Sequence, residues 1–198
     1  MHPNGAFRWS DEAAMRAFVA ARGFATLCVA GPDAPLVAHA PLIATAEGRL
    51  RFHLARGNRI VGHLDGATAV ASITDADGYI SPDWYDAADM VPTWNYLAVE
   101  VEGRIRALDD AELIEQVDAL GDVFESRLVP KPVWSRAKMT PGRFEAMLGA
   151  IRGFELLPGV WRGTCKMGQN RKPAERVALA SALDGQGRTR EAGLVRAA

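Results

Sequence analysis

Between Phe24 and Ala107 the chain repeats one pattern, a short apolar or alternating run closed by a tight turn. Phe24-Ala-Thr-Leu-Cys-Val-Ala30 reads as a buried strand, and Gly31-Pro-Asp-Ala-Pro35 turns it. Leu36 to Ala44 returns, with Pro41 required to sit at an edge or bulge. Glu47-Gly48 turns again before Leu50-Arg-Phe-His-Leu54, which alternates with period two. Further strands are predicted over 67–73, from Tyr79 after a turn at Asp75–Gly78, over 94–107, and over 153–157 and 160–167 around a Pro158-Gly159 turn. Strands this dense are not a βαβ array. They predict a mainly β (α+β) fold, an antiparallel barrel with peripheral helices.

Those helices announce themselves by caps. Ser10 precedes a helix ending near Gly23, and Asp109 with Glu112 opens another to about Ser126. Gly57–Leu64 reads as a short helix, Thr140-Pro141 opens one more, and Pro173 a last one to about Leu183. At 198 residues the expectation is one domain over 1–183, with 184–198 as a frayed tail.

No run approaches the roughly 20 apolar residues of a membrane helix, and the first residues lack a leader's apolar core. Cys28 and Cys165 both lie in apolar runs and read as reduced thiols of a cytoplasmic protein. His39, His53 and His63 are too dispersed for a metal site, and no Gly-rich phosphate loop occurs. The net charge of −1 conceals blocks: residues 65–125 hold 15 acidic and two basic groups, residues 126–198 hold 14 basic and five acidic. In a symmetric dimer one subunit's basic end could lie on the other's acidic middle.

The aromatics concentrate in Tyr79-Ile-Ser-Pro-Asp-Trp84-Tyr85 and Val91-Pro-Thr-Trp94-Asn95-Tyr96, which hold all three tyrosines. Such crowding implies a planar ligand, a partner subunit, or an aromatic mini-core under a loop. A second segment is Trp161-Arg-Gly-Thr-Cys-Lys166-Met-Gly-Gln169-Asn170-Arg171. Together they resemble the PaiB-like family of FMN-binding split-barrel proteins, often labelled negative transcriptional regulators and related to pyridoxamine-phosphate-oxidase-like flavoproteins. That family reads YISPxWY, VPTWNY and KLSQNR; here Met167 and Gly168 depart from the last motif. The family's Lys between the first two motifs is absent from Asp86–Met90.

The resemblance implies FMN as cofactor, and a flavin asks for phosphate donors, partners for its pyrimidine edge, and flat walls. His53-Leu-Ala-Arg56-Gly57-Asn58-Arg59, where a strand ends and a helix is expected, is the candidate phosphate site. The family reads HLARANP there; the plain alternative is a basic helix start facing water. His39 resembles the strand residue that lines the flavin, although a lone His on an apolar strand is as readily a bonded core residue. Trp84, Tyr85, Thr93, Trp94 and Asn95 are candidates for the ring shell, Asn95 because an amide matches an imide edge. By analogy Trp161 and Arg171 approach the flavin, and Lys166 and Gln169 its outer face; the alternative is a basic surface turn. Asn95 and Trp94 are expected in one pocket with Gln169–Arg171.

The leading expectation is therefore a cytoplasmic FMN-binding homodimer, regulating transcription through its flavin. No basic recognition-helix pattern suggests direct DNA reading. The alternatives are an FMN-dependent oxidoreductase acting on a small molecule, and a binding protein for haem or another planar ligand.

Overall fold

The computed structural model describes residues 2–198. Its seven strands are β1 (Arg8–Trp9), β2 (Phe24–Val29), β3 (Leu36–Ala44), β4 (Leu50–Ala55), β5 (Thr68–Ile80), β6 (Thr93–Ala107) and β7 (Ile151–Lys166). They bond in the order β1-β7-β4-β3-β2-β5-β6, and a β7–β6 pairing closes the sheet. The helices are α1 (Glu12–Arg22), α2 (Asp110–Glu125), α3 (Arg143–Leu148), α4 (Pro173–Gly185) and α5 (Thr189–Ala197). No helix among the described residues is long and apolar enough to cross a membrane. The split-barrel expectation holds, and the chain divides into two compact units.

One unit comprises Arg16–Ile73 and Glu100–Trp161. Its core follows from alternation: Leu50, Phe52 and Leu54 point inward from β4, and Phe52 lies opposite Phe154 of β7 with ring centroids 5.7 Å apart. Burying each such side chain stabilises the fold by about 1.5–3 kcal/mol. Pro41 is tolerated at a changeover. The β2 ladder ends at Phe24↔Pro41 and the β4 ladder begins at Leu42↔Phe52. α2 starts on the expected box: the Glu112 N–H donates to Asp109 Oδ1 (2.8 Å) and the Asp109 N–H to Glu112 Oε2 (3.1 Å).

A charge cluster joins β4, β6, β7 and α2 in this unit. Glu155 has a fully buried side chain and accepts from Arg49 Nη1 (3.0 Å), Arg51 Nε (2.8 Å) and Arg106 Nε (2.9 Å). Arg106 also grips Glu112 with bonds of 2.8 and 2.7 Å. Hydrogen bonds from Arg106 hold the Glu112 carboxyl down at about 2. A depressed carboxylate adds stability that is present above its unfolded pKa, near 4.5, and lost as pH falls through its folded one. Denaturation midpoints should therefore fall between pH 4.5 and 2, and Glu112→Gln should flatten that slope; an unchanged slope would remove Glu112 from the acid response.

The other unit comprises the chain up to Met15, Thr74–Val99 and Arg162–Ala198. Ile80, Tyr85, Leu179, Ala180, Leu183, Ala192 and Val195 form its core, with Trp84 and Met90 packed alongside. The frayed tail is thereby corrected: α5 buries Ala192 and Val195 completely against α4. Arg188 donates to the Tyr79 carbonyl (2.9 Å), and Arg190 forks onto Asp75.

Two expected turns are not turns. β5 runs unbroken through Asp75–Gly78, with Ala76 alone taking a positive φ, of 50°. β7 runs unbroken through Pro158-Gly159, pairing with β4 over Ile151–Leu156 and with β1 at Gly163 and Thr164. The expected helix at 57–64 is only a three-residue 3-10 turn, Val61–His63. Ion pairs Arg136–Asp118, Lys131–Glu125 and Arg190–Asp75 join basic end to acidic middle inside one chain. Part of the charge complementarity is thus satisfied without a second subunit.

Candidate functional site

The outer face of β2, β3 and β5 carries a polar row flanked by apolar side chains. Register places His39 beside Thr26 and Thr26 beside Ser72, a polar row across three strands. Cys28 lies between Val37 and Val70 on one side of that row, and Phe24 faces Pro41 on the other. His39 Nδ1 lies 3.0 Å from Thr26 Oγ1, and its ring stacks on Phe24 at 6.4 Å. Phe24 and Val37 are 43 % and 42 % exposed, so this face is open. Thr26, Ser72 and Phe24 are not distinguished by sequence. Period-two alternation marks their strands, but the row exists only once the register is known.

The chain leaves β4 at Arg56, and the antiparallel course of β3 and β4 carries that end toward the His39 end of β3. The Arg56 N–H bonds to the Ala150 carbonyl (2.9 Å), and its Nε to that of Gly149 (2.7 Å). The backbone beneath the guanidinium is thus pinned, and Arg56 is exposed. Asn58 Oδ1 accepts the Ile60 N–H (3.2 Å), shaping the turn, and Arg59 is exposed. The short 3-10 turn withdraws the helix-dipole argument for this site; what remains is two guanidiniums on a rigid turn.

His53 is placed apart from the turn. It projects toward α2, where Nδ1 lies 3.1 Å from Gln116 Oε1, and burial lowers its pKa. Trp161 carries Arg16 4.5 Å over its ring, and its Nε1 is buried with no hydrogen-bond partner among the described residues.

The smaller unit gathers most of the aromatic and C-terminal motif residues. Lys166 Nζ donates to Thr93 Oγ1 (2.5 Å) and lies 5.7 Å from the Phe7 ring centroid. Burial, then the charge of Arg171, lowers the Lys166 pKa. Arg171 sits 5.1 Å over Tyr85. Asn95 is 3 % exposed and its Nδ2 has no partner among the described residues. Sheet alternation explains a correction: Trp94 is 55 % exposed on the face opposite Asn95, so one chain cannot place both in one pocket. Tyr85 is core, 1 % exposed with its hydroxyl pKa raised by burial, and Trp84 packs beside it; the mini-core reading describes this pair. Gln169 turns inward, its Oε1 accepting the Met167 N–H (2.9 Å) and its Nε2 donating to the Cys165 carbonyl. It shapes the loop and offers no amide outward.

Comparisons agree with this architecture. Residues 1–157 match the family described as "Putative FMN-binding domain". The chain is 27 % identical over 162 residues to Protease synthase and sporulation protein PAI 2 of Bacillus subtilis, covering 80 % of this chain and 77 % of that one. The FAD and heme binding protein of Mycobacterium smegmatis superposes with a TM-score of 0.60 at 18 % identity, over 80 % of this chain and 73 % of that one. The flavocytochrome Anf3 of Azotobacter vinelandii superposes with a TM-score of 0.62 at 16 % identity, over 84 % and 72 %. These two share the fold. The family match spans most of the chain, so the chain belongs to the FMN-binding domain family, and FMN is its cofactor.

Proposed function

We propose that the chain acts as a cytoplasmic homodimer that holds FMN on the outer face of β2, β3 and β5 and influences transcription through that flavin. The observation that carries the reading is the His39–Thr26–Ser72 row, flanked by apolar side chains and adjoining the Arg56–Arg59 turn. The donor set fits the group: two guanidiniums for the phosphate, hydroxyl and imidazole groups for the ring's polar atoms, and Phe24, Val37 and Val70 as wall. FMN supplies one- and two-electron chemistry when bound. This chain's residues bind and orient it. The two cysteines, both unpaired, suit a reducing compartment. The open apolar sheet face suits a second subunit.

Direct DNA reading is disfavoured by what the arginines of α5 and its N-cap already do. Arg188 holds Glu191 and the Tyr79 carbonyl, Arg190 holds Asp75, and Arg196 holds Asp184. An arginine committed to a carboxylate is poorly placed to neutralise a phosphate.

Arg56→Ala tests the site. Losing a charge-assisted bond worth about 1.5–3 kcal/mol should weaken FMN roughly 10- to 150-fold in a calorimetric titration. Riboflavin, which lacks the phosphate, should bind unchanged; equal losses for both ligands would remove Arg56 from the phosphate.

A second reading is favoured by the orphaned Asn95 amide and the Lys166–Arg171 pair of cations in the smaller unit. There, Thr93, Asn95, Lys166 and Arg171 would meet the flavin's polar edge. Asn95→Ala shifting the flavin absorption bands while His39→Ala leaves them in place would favour it. An oxidoreductase or haem role is the remaining alternative, consistent with what the two structural neighbours are named for binding. The visible spectrum of purified protein separates them: flavin shows two near-UV and blue bands, haem one intense Soret band. Rapid reduction by a nicotinamide cofactor would mark an enzyme.

A further inference from the structure

His53 faces a cavity that neither the phosphate turn nor the sheet face uses. The cavity measures about 340 Å³ and is lined by Val117 of α2, by Trp134, Met139, Phe144 and Met147 beyond it, and by His53 itself. That volume is at the small end of the roughly 300–1,000 Å³ typical of small-molecule sites.

Its walls are fixed by polar contacts outside the cavity. The Trp134 N–H donates to Glu125 Oε2 (3.0 Å), and Lys131 pairs with the same carboxylate. Arg136 bridges Asp118 (3.2 Å) and the Phe144 ring (4.8 Å). These contacts anchor the Trp134 backbone and the Phe144 ring beside the space.

His53 is the one polar residue of the lining, and Gln116 stands behind it. Gln116 is fully buried, its Oε1 lies 3.1 Å from His53 Nδ1, and its Nε2 has no partner among the described residues. With Oε1 as the acceptor, Nδ1 carries the imidazole proton and Nε2 presents a lone pair. Burial keeps this imidazole neutral near neutral pH. An apolar pocket, open to solvent at Trp134 and Met147, with a single strong acceptor favours an uncharged ring bearing one donor. A carboxylate would meet that lone pair with its own.

We propose that this cavity is a second small-molecule site, separate from the flavin, for an uncharged aromatic alcohol whose hydroxyl donates to His53 Nε2 while its ring lies among Trp134, Phe144 and the two methionines. The site does not depend on the flavin reading above.

Calorimetry on the full chain with 2-naphthol and its methyl ether tests this. The two probes differ in the one donor. 2-Naphthol should bind saturably and about fivefold more tightly than the ether, the increment of one net hydrogen bond of roughly 1 kcal/mol. His53→Phe should bring the two affinities together, and Trp134→Ala should weaken both. A measurement on the unmodified protein guards against a misfolded variant. Long-range ¹H–¹⁵N spectra should show His53 as the Nδ1–H tautomer, with Nε2 shifting on addition of 2-naphthol and not of the ether. Absence of saturable binding, equal affinities, an unmoved Nε2, or displacement of 2-naphthol by FMN would each overturn the proposal. Displacement would assign the cavity to the flavin, and loss of FMN binding alone would leave the naphthol result standing.

Discussion

Replacing Glu155 with Ala should destabilise the fold by about 3 kcal/mol or more, the cost of breaking a buried ion cluster from one side. The carboxylate is fully buried and three arginines converge on it, each from a different direction. Removing it leaves Arg51, whose side chain is only 18 % exposed, without its main partner and with only the longer contacts to Glu112 (3.8 Å) and Glu115 (3.5 Å). Arg49 and Arg106 are more exposed and can turn to water, which keeps the expected loss toward the lower end of the range. Glu155→Gln should fall between the two, since an amide can still accept one or two of the bonds. Urea unfolding monitored by tryptophan fluorescence reads the difference. A loss under about 0.5 kcal/mol would mean that the arginines organise themselves on Glu112 without Glu155.

Val195→Asp should be at least as damaging, by about 3–4 kcal/mol, although it lies only three residues from Ala198. Val195 has no exposed surface and packs with Ala192 onto Leu179, Ala180 and Leu183. The substitution removes about 1.5–3 kcal/mol of burial and sets a carboxylate in an apolar cluster, where it must be hydrated or protonated. The same substitution at exposed Gly193, where a side chain meets open space, should be near neutral by comparison. If Val195→Asp were silent in thermal unfolding and in protease resistance, α5 would contribute nothing to its unit.

Those two residues also show what the sequence could and could not reveal. The caps at Asp109 and Pro173 and the alternation of β4 are local facts, and each is recovered in the structure, whereas β2, read as a buried strand from its apolar content, buries only alternate residues and leaves Phe24 exposed. α5 was hidden because its apolar residues are few and small, and its stability comes from α4. Proline and glycine at 158–159 and the Asp-Ala-Asp-Gly stretch at 75–78 are turn residues by composition, yet both lie within continuous strands, the second with a positive φ at Ala76. At the candidate site, Arg56 and His39 were legible because charge and imidazole are conspicuous on apolar strands. Thr26 and Ser72 were not, because a small hydroxyl acquires meaning only from what register sets beside it. Tyr85 misled for the opposite reason, since an aromatic beside a binding motif and an aromatic in a core are written with the same letter.

Pro41 has a bearing on how the chain avoids misassembly. The Leu42 N–H points to β2, where it bonds to the Gly23 carbonyl at 3.0 Å, so the nitrogen of Pro41 points to the β4 side. That nitrogen carries no proton, and the β4 ladder stops one position short of it, at Leu42↔Phe52. A slipped alignment that lengthened this ladder would reach a rung with no donor. The ring thus works as a stop in the zipper. It fixes where β4 ceases to pair and keeps the segment from Val37 to Ala40 from being captured by the wrong neighbour while the sheet assembles.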